Sequence, residues 1–245
     1  MRWALLALTA SAAWGQSTFE VATIRPAAPI TAEQILARTA HIGMTVDGTR
    51  VDFGTASLTG LIMQAYQVKT FQIAGPDWLA GYRQNFDILA KMPEGATRDQ
   101  VPEMIQALLA ERFKLAVHRE TRDQAAYALV VGKNGAKLKQ AASDAEPNFR
   151  TSMNPDGTVH SQITGPMALF ADFLTPYVER PVVDMTAIKG PYEFGFDIAR
   201  QARGDPAFET EFFAAVERLG LKLDPRKMPI ETIVVDHMEK TPTAN

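Results

Sequence analysis

The sequence predicts an α+β protein built as two tandem duplicated units, each an antiparallel sheet packed by two amphipathic helices. Three observations predict it. Asp47-Gly48-Thr49 recurs as Asp156-Gly157-Thr158 at an offset of 109, and Phe86-Asp87-Ile88 recurs as Phe196-Asp197-Ile198 at an offset of 110. Around each copy, runs that alternate apolar and polar residues are followed by segments with helical spacing. Neither half shows the regular strand and crossover-helix alternation of a parallel sheet, and neither carries a glycine-rich phosphate loop.

The chain opens with Met1-Arg2 and an apolar run from Trp3 to Trp14, closed by Ala13-Trp14-Gly15. This is the pattern of a secretory leader with a small-x-small cleavage site, so residues 1–15 are set apart from the fold and cleavage is expected before Gln16. The run is shorter than the ~20 apolar residues a membrane span needs, and no later stretch is a better candidate. A periplasmic or secreted protein without a membrane span after cleavage is the expectation. The chain has no cysteine, so it has no disulfide framework, and its core alone must stabilise it. Without Arg2 there are 24 basic against 28 acidic side chains, and the charges are scattered. Nucleic acid is therefore excluded as an expected partner, because phosphate binding needs clustered Lys and Arg.

In the first unit, residues 16–135, FEVATI (Phe19 to Ile24) alternates as a half-buried strand and ends at Pro26 and Pro29. Thr31 and Gln34 form a capping box for a short helix through Arg38. Asp47-Gly48 marks a tight hairpin, because that pair accepts the positive φ of a strand reversal. Ser57 caps a helix whose Leu58, Leu61, Ile62, Ala65 and Tyr66 share one face. Phe71 and Ile73 start a strand, Gly75-Pro76-Asp77 turns the chain, and Asn85 to Ala90 run back extended. A second helix carries Val101, Met104, Ile105, Leu108 and Leu109 on one side, with Pro102 in its first turn. Phe113 to Glu120 and Ala125 to Gly132 are expected to close the unit as a hairpin.

Residues 136–148 lose periodicity and read as a linker. The second unit, 149–245, repeats the order: a Pro155-Asp156-Gly157 turn, a helix with Met167, Phe170, Phe173 and Leu174, and a strand at Val182-Val183. Tyr192 to Ile198 is the next strand and Phe208 to Leu219 the next helix. Leu221 to Leu223 with Ile230 to Val235 form the closing pair. Arg112-Phe113 answers to Arg218-Leu219 at an offset of 106.

The stretches FEVATIRP, LTGLIMQAY with FQIAGPDWL, LLAERFKLAVHRET, RPVVDMTAIKGPYEF and the closing LGLKLDPRK and IVVDH together resemble one family. It is an uncharacterised secreted domain of unknown function expanded in soil acidobacteria, also found fused behind membrane metallopeptidases of the penicillin-sensor type. The likeness covers nearly all of the chain beyond the leader. It implies a secreted domain and brings no activity with it. Met228-Pro229 stands where Gly-Pro is usual, and the chain has no His-Glu-x-x-His helix.

The residues of chemical interest are few. The four histidines are spread singly; His118 with Glu120 and His237 with Glu239 each offer two ligands on a strand face, short of the three or four that zinc takes. No catalytic residue, metal or cofactor is assigned. Asp87 and Asp197, repeated between apolar neighbours, are read as inward carboxylates satisfied by backbone donors or an arginine. The candidate ligand-binding residues are Asp77, Trp78 and Tyr82, in the turn between two strands. A tryptophan beside a tyrosine there offers a rigid amphipathic contact surface, and the same tryptophan can equally fold back to plug its own core. The expected function is a non-catalytic extracytoplasmic module binding a small molecule or another extracytoplasmic protein, with a secreted hydrolase as the alternative.

Overall fold

The computed structural model describes residues 17–37, 39–81, 83–155, 158–198 and 206–243. The expected leader, Arg38, Tyr82 and Asp156-Gly157, where a turn was expected, lie outside them. The chain is α+β and divides into two compact units, Met1–Thr121 with Glu231–Asn245, and Arg122–Ile230.

The first part of the chain forms β1 (Val21–Pro26), α1 (Ala32–Leu36), β2 (Gly43–Asp47), β3 (Arg50–Ser57), α2 (Leu58–Tyr66), β4 (Ile73–Ala74), α3 (Asp77–Gly81), β5 (Asn85–Lys91), α4 (Val101–Phe113) and β6 (Ala116–Val131). The local signals are borne out where they name caps. Thr31 and Gln34 make the capping box of α1, and Ser57 Oγ accepts from Gly60 N at 3.0 Å to start α2. The predicted helix faces are the buried ones: Leu58, Leu61, Ile62 and Ala65 on α2, and Val101, Met104, Ile105, Leu108 and Leu109 on α4. Both pack on an antiparallel sheet ordered β1-β5-β3-β2, whose Val51, Phe53, Phe86 and Ile88 complete the core.

The remainder forms β7 (Lys139–Gln140), β8 (Asn148–Met153), β9 (Val159–Gly165), α5 (Met167–Leu174), β10 (Val182–Asp184), β11 (Tyr192–Ile198), α6 (Pro206–Arg218) and β12 (Leu221–His237). Its antiparallel sheet is ordered β7-β11-β9-β8, position for position the order of the first. Phe170 and Phe194 stack face to face at 4.3 Å in its core, joined by Phe208, Phe212 and Val216 from α6.

Both expected closing hairpins are instead single long strands, β6 and β12. Both stretches stay in one strand throughout, and no residue within 116–131 or 221–237 has the positive φ that a two-residue hairpin turn takes. Polar Thr121 to Gln124 interrupt the apolar pattern of β6 because that stretch is largely exposed, not because the chain turns there. Phe113, expected to open a strand, is the buried last residue of α4. The expected strand at Phe71 is a 3-10 turn, Thr70–Gln72, followed by the two residues of β4. A third sheet is ordered β10-β6-β12-β4 and contains parallel pairs that the sequence did not announce. In the first unit, Ile73 and Ala74 pair with Ile233 and Val234; in the second, Val182–Asp184 pair with Tyr127, Ala128 and Leu129. Among the described residues no helix is long and apolar enough to cross a membrane.

Candidate functional site

The turn singled out in the sequence folds as α3, five residues placed directly after Gly75-Pro76. Leu79 N donates to Pro76 O at 2.9 Å to close its first turn, and Leu79 is buried beneath it. Gly75 sits in close packing: a Cβ there would stand 3.2 Å from both Leu79 Cδ2 and Val235 Cβ, a tight fit. Beside α3 opens a cleft of about 310 Å³, with β4 and Pro76, Leu79 and Ala80 as apolar walls. Its polar side chains are those of Thr59, Thr70 and Asp77.

The structure separates the predicted trio. Asp77 is exposed and lines the cleft. Trp78 is not among the residues lining that cleft: half-buried, it packs against the core of the first unit, with Lys240 Nζ 5.2 Å from its ring centroid. That cation–π contact joins residues far apart in sequence, so no local pattern signalled it. Tyr82 lies outside the described residues. Thr59 and Thr70 were missed because single threonines near helix ends carry no sequence signal of a ligand.

Three histidines pair with aspartates on the solvent faces of strands. Asp197 is exposed and Asp87 half-buried rather than inward; buried Phe86 and Ile88 flank Asp87, so alternation puts it on the opposite face of the sheet. Asp87 accepts from Thr55 N at 2.9 Å across a β-bulge between Phe53 and Ala56, and lies 3.7 Å from His41 Nδ1. His41 Nε2 lies 2.9 Å from Asp52, and Thr55 Oγ1 donates to His41 O. Gly54 makes this possible, because a Cβ there would fall 2.6 Å from the His41 backbone. In the other sheet His160 Nδ1 lies 2.7 Å from Asp197, which also accepts from Asn154. His118 Nδ1 lies 2.9 Å from both oxygens of Asp236, and its Nε2 is 3.6 Å from Glu120. The hydrogen bond to Asp236 raises the His118 pKa above 6.5, with smaller help from Glu120. Tyr66 is half-buried, and burial raises its hydroxyl pKa against the opposing pull of the Arg119 guanidinium. Among the described residues no group of three or more His, Cys, Asp and Glu is placed to hold a metal ion.

Residues 59–238 match the family described as "Protein of unknown function (DUF3738)". The chain belongs to this family. That match spans both antiparallel sheets apart from β1, β2 and β3, and it includes the α3 cleft. Comparison with curated proteins and with solved structures returned no match.

Proposed function

We propose that this member of the DUF3738 family is a non-catalytic extracytoplasmic binding module, and that α3 and β4 frame its ligand cleft. The observation that carries this reading is the cleft's composition: apolar walls with two hydroxyls and one exposed carboxylate, the layout of a site that holds an apolar body and orients a donor or cationic group. The apolar leader at residues 1–15 supports an exported location. Matched strand orders in the two antiparallel sheets support a duplicated unit, of which only the first half has α3.

The chain's three tryptophans are Trp3, Trp14 and Trp78, so protein beginning at Gln16 has a single tryptophan, in the helix beside the cleft. Titrating benzylamine and a series of alkylammonium ions should change Trp78 fluorescence and move the backbone amide resonances of Thr59, Thr70 and Asp77. Asp77→Asn should weaken the response about tenfold, the loss of one charge-assisted contact of ~1.4 kcal/mol. Responses equal in wild type and Asp77→Asn would remove the cleft from this reading.

A hydrolase is the second reading, and one row of residues favours it. Ser152 of β8 lies opposite His160 of β9, which lies opposite Asp197 of β11. The row gives a hydroxyl, an imidazole and a carboxylate in triad order. It lies on an open face, with His160 and Asp197 side chains 38% and 59% exposed, where water screens the charge stabilisation that acyl transfer needs. Binding is therefore preferred; covalent labelling of Ser152 by a fluorophosphonate would reverse that preference.

A further inference from the structure

A strand at the edge of a sheet presents unpaired backbone donors and acceptors, and proteins blunt such edges with short strands, prolines, charges or cover. The edges of the two antiparallel sheets are β1, β2, β7 and β8. β7 is two residues long, β1 ends in Pro26, and β2 tucks Met44 and Val46 against the core. β8 carries a single charge, Arg150, and none of the other devices. It runs six residues, Asn148–Met153, without glycine or proline, and every one of its residues is exposed.

Its core-facing residues are the telling ones. Phe149, Thr151 and Met153 stand opposite Ile163, Ser161 and Val159 of β9, on the face that packs on α5. Phe149 touches the Phe173 ring at 5.6 Å, continuing an aromatic chain through Tyr177 to Phe212 in the core. Yet Phe149 is 54% and Met153 63% exposed. The apolar layer thus reaches β8 and ends there uncovered.

We propose that β8 pairs antiparallel with β8 of a second copy of this chain, across a two-fold axis at Thr151. Residues directly opposite in an antiparallel pair share a face, which leaves few symmetric registers. Centring on Arg150 sets two guanidinium groups against each other. Centring on Ser152 pushes Phe149 past the end of the partner strand. Centring on Thr151 sets Phe149 against Met153 of the second copy, twice by symmetry, and Arg150 against Ser152. The strand is self-complementary in that register alone, as an isologous interface requires.

The absence of cysteine makes the test clean. In protein beginning at Gln16, Thr151→Cys supplies the only thiol, and the proposed pairing puts the two Cα atoms ~4.5–5.5 Å apart, within disulfide reach. Mild oxidation should give a disulfide dimer of Thr151→Cys far faster than of Thr45→Cys on β2. Sedimentation at roughly 0.1 mM should show self-association of the wild type, weakened at least ~tenfold in Phe149→Lys. Equal cross-linking of the two cysteine variants, or a wild type that stays monomeric, would overturn the proposal. If Phe149→Lys fails to fold, the cysteine pair still decides.

Discussion

Arg112 and Arg218 occupy matching places near the ends of two thirteen-residue helices, α4 and α6, and the two halves of the chain use them differently. Arg112 is buried and donates to the carbonyls of Ala22 and Thr243, fastening β1 and the C-terminal segment to α4. Arg218 is exposed. The connection from Gly-Pro to Phe-Asp-Ile differs as well: nine residues separate Pro76 from Phe86, and four separate Pro191 from Phe196, a difference equal to the length of α3. The edges differ a third time, β2 covered and β8 bare. The buried faces of α2 (Leu58, Leu61, Ile62, Ala65) and α5 (Met167, Phe170, Ala171, Leu174) do agree at a constant offset of 109, because close packing leaves such positions little latitude. Connections and edges face water, where a helix can be added or a strand left open without disturbing that packing.

The largest test of this contrast is the arginine pair. Arg112→Ala should destabilise by roughly 2–4 kcal/mol in urea denaturation, since hydrogen bonds from a charged group carry ~1.5–3 kcal/mol and two carbonyls lose their donor. Arg218→Ala should stay within about 0.5 kcal/mol, as for other exposed positions. Comparable losses in the two variants would mean that the helix ends are used alike.

A smaller effect separates two glycines on the two sheets. Gly54→Ala should cost about 1–3 kcal/mol by overpacking, because the added carbon meets the rigid His41 backbone at 2.6 Å. Gly195→Ala meets nothing nearer than His160 Cε1 at 3.6 Å and should change stability by less than about 0.5 kcal/mol. Thermal melts of the two variants decide whether the bulge at Thr55 is a constraint of the first sheet only.

The smallest expected effect concerns His118. Its folded-state pKa is raised above 6.5, so whatever the pair with Asp236 contributes is fully present below that pH and is lost as pH rises through the folded value. Imidazole resonances followed against pH should place His118 above the ordinary histidine value, and Asp236→Asn should bring it down. A His118 titration unmoved by that substitution would show that the hydrogen bond is not what holds the proton.

The sequence by itself determined the α+β class, the caps of α1 and α2, the buried faces of α2 and α4, and the strand at Tyr192–Ile198, because these rest on neighbours a few residues apart. Alternation also held in β5, where buried Phe86 and Ile88 put Asp87 on the face away from the core, against the expectation of an inward carboxylate. Only the tertiary structure decided that β6 and β12 do not turn back, that residues beyond Glu231 return to the first unit, and that β4 and β10 pair in parallel. Those outcomes depend on strand partners more than fifty residues away, and an exposed polar stretch looks the same in sequence whether the chain reverses there or runs straight on. The same limit applies to the site. Asp-Trp after Gly-Pro was legible as an unusual turn, but which of the two faces the cleft was fixed by the short helix winding Trp78 onto the core, where Lys240 arrives from the far end of the chain.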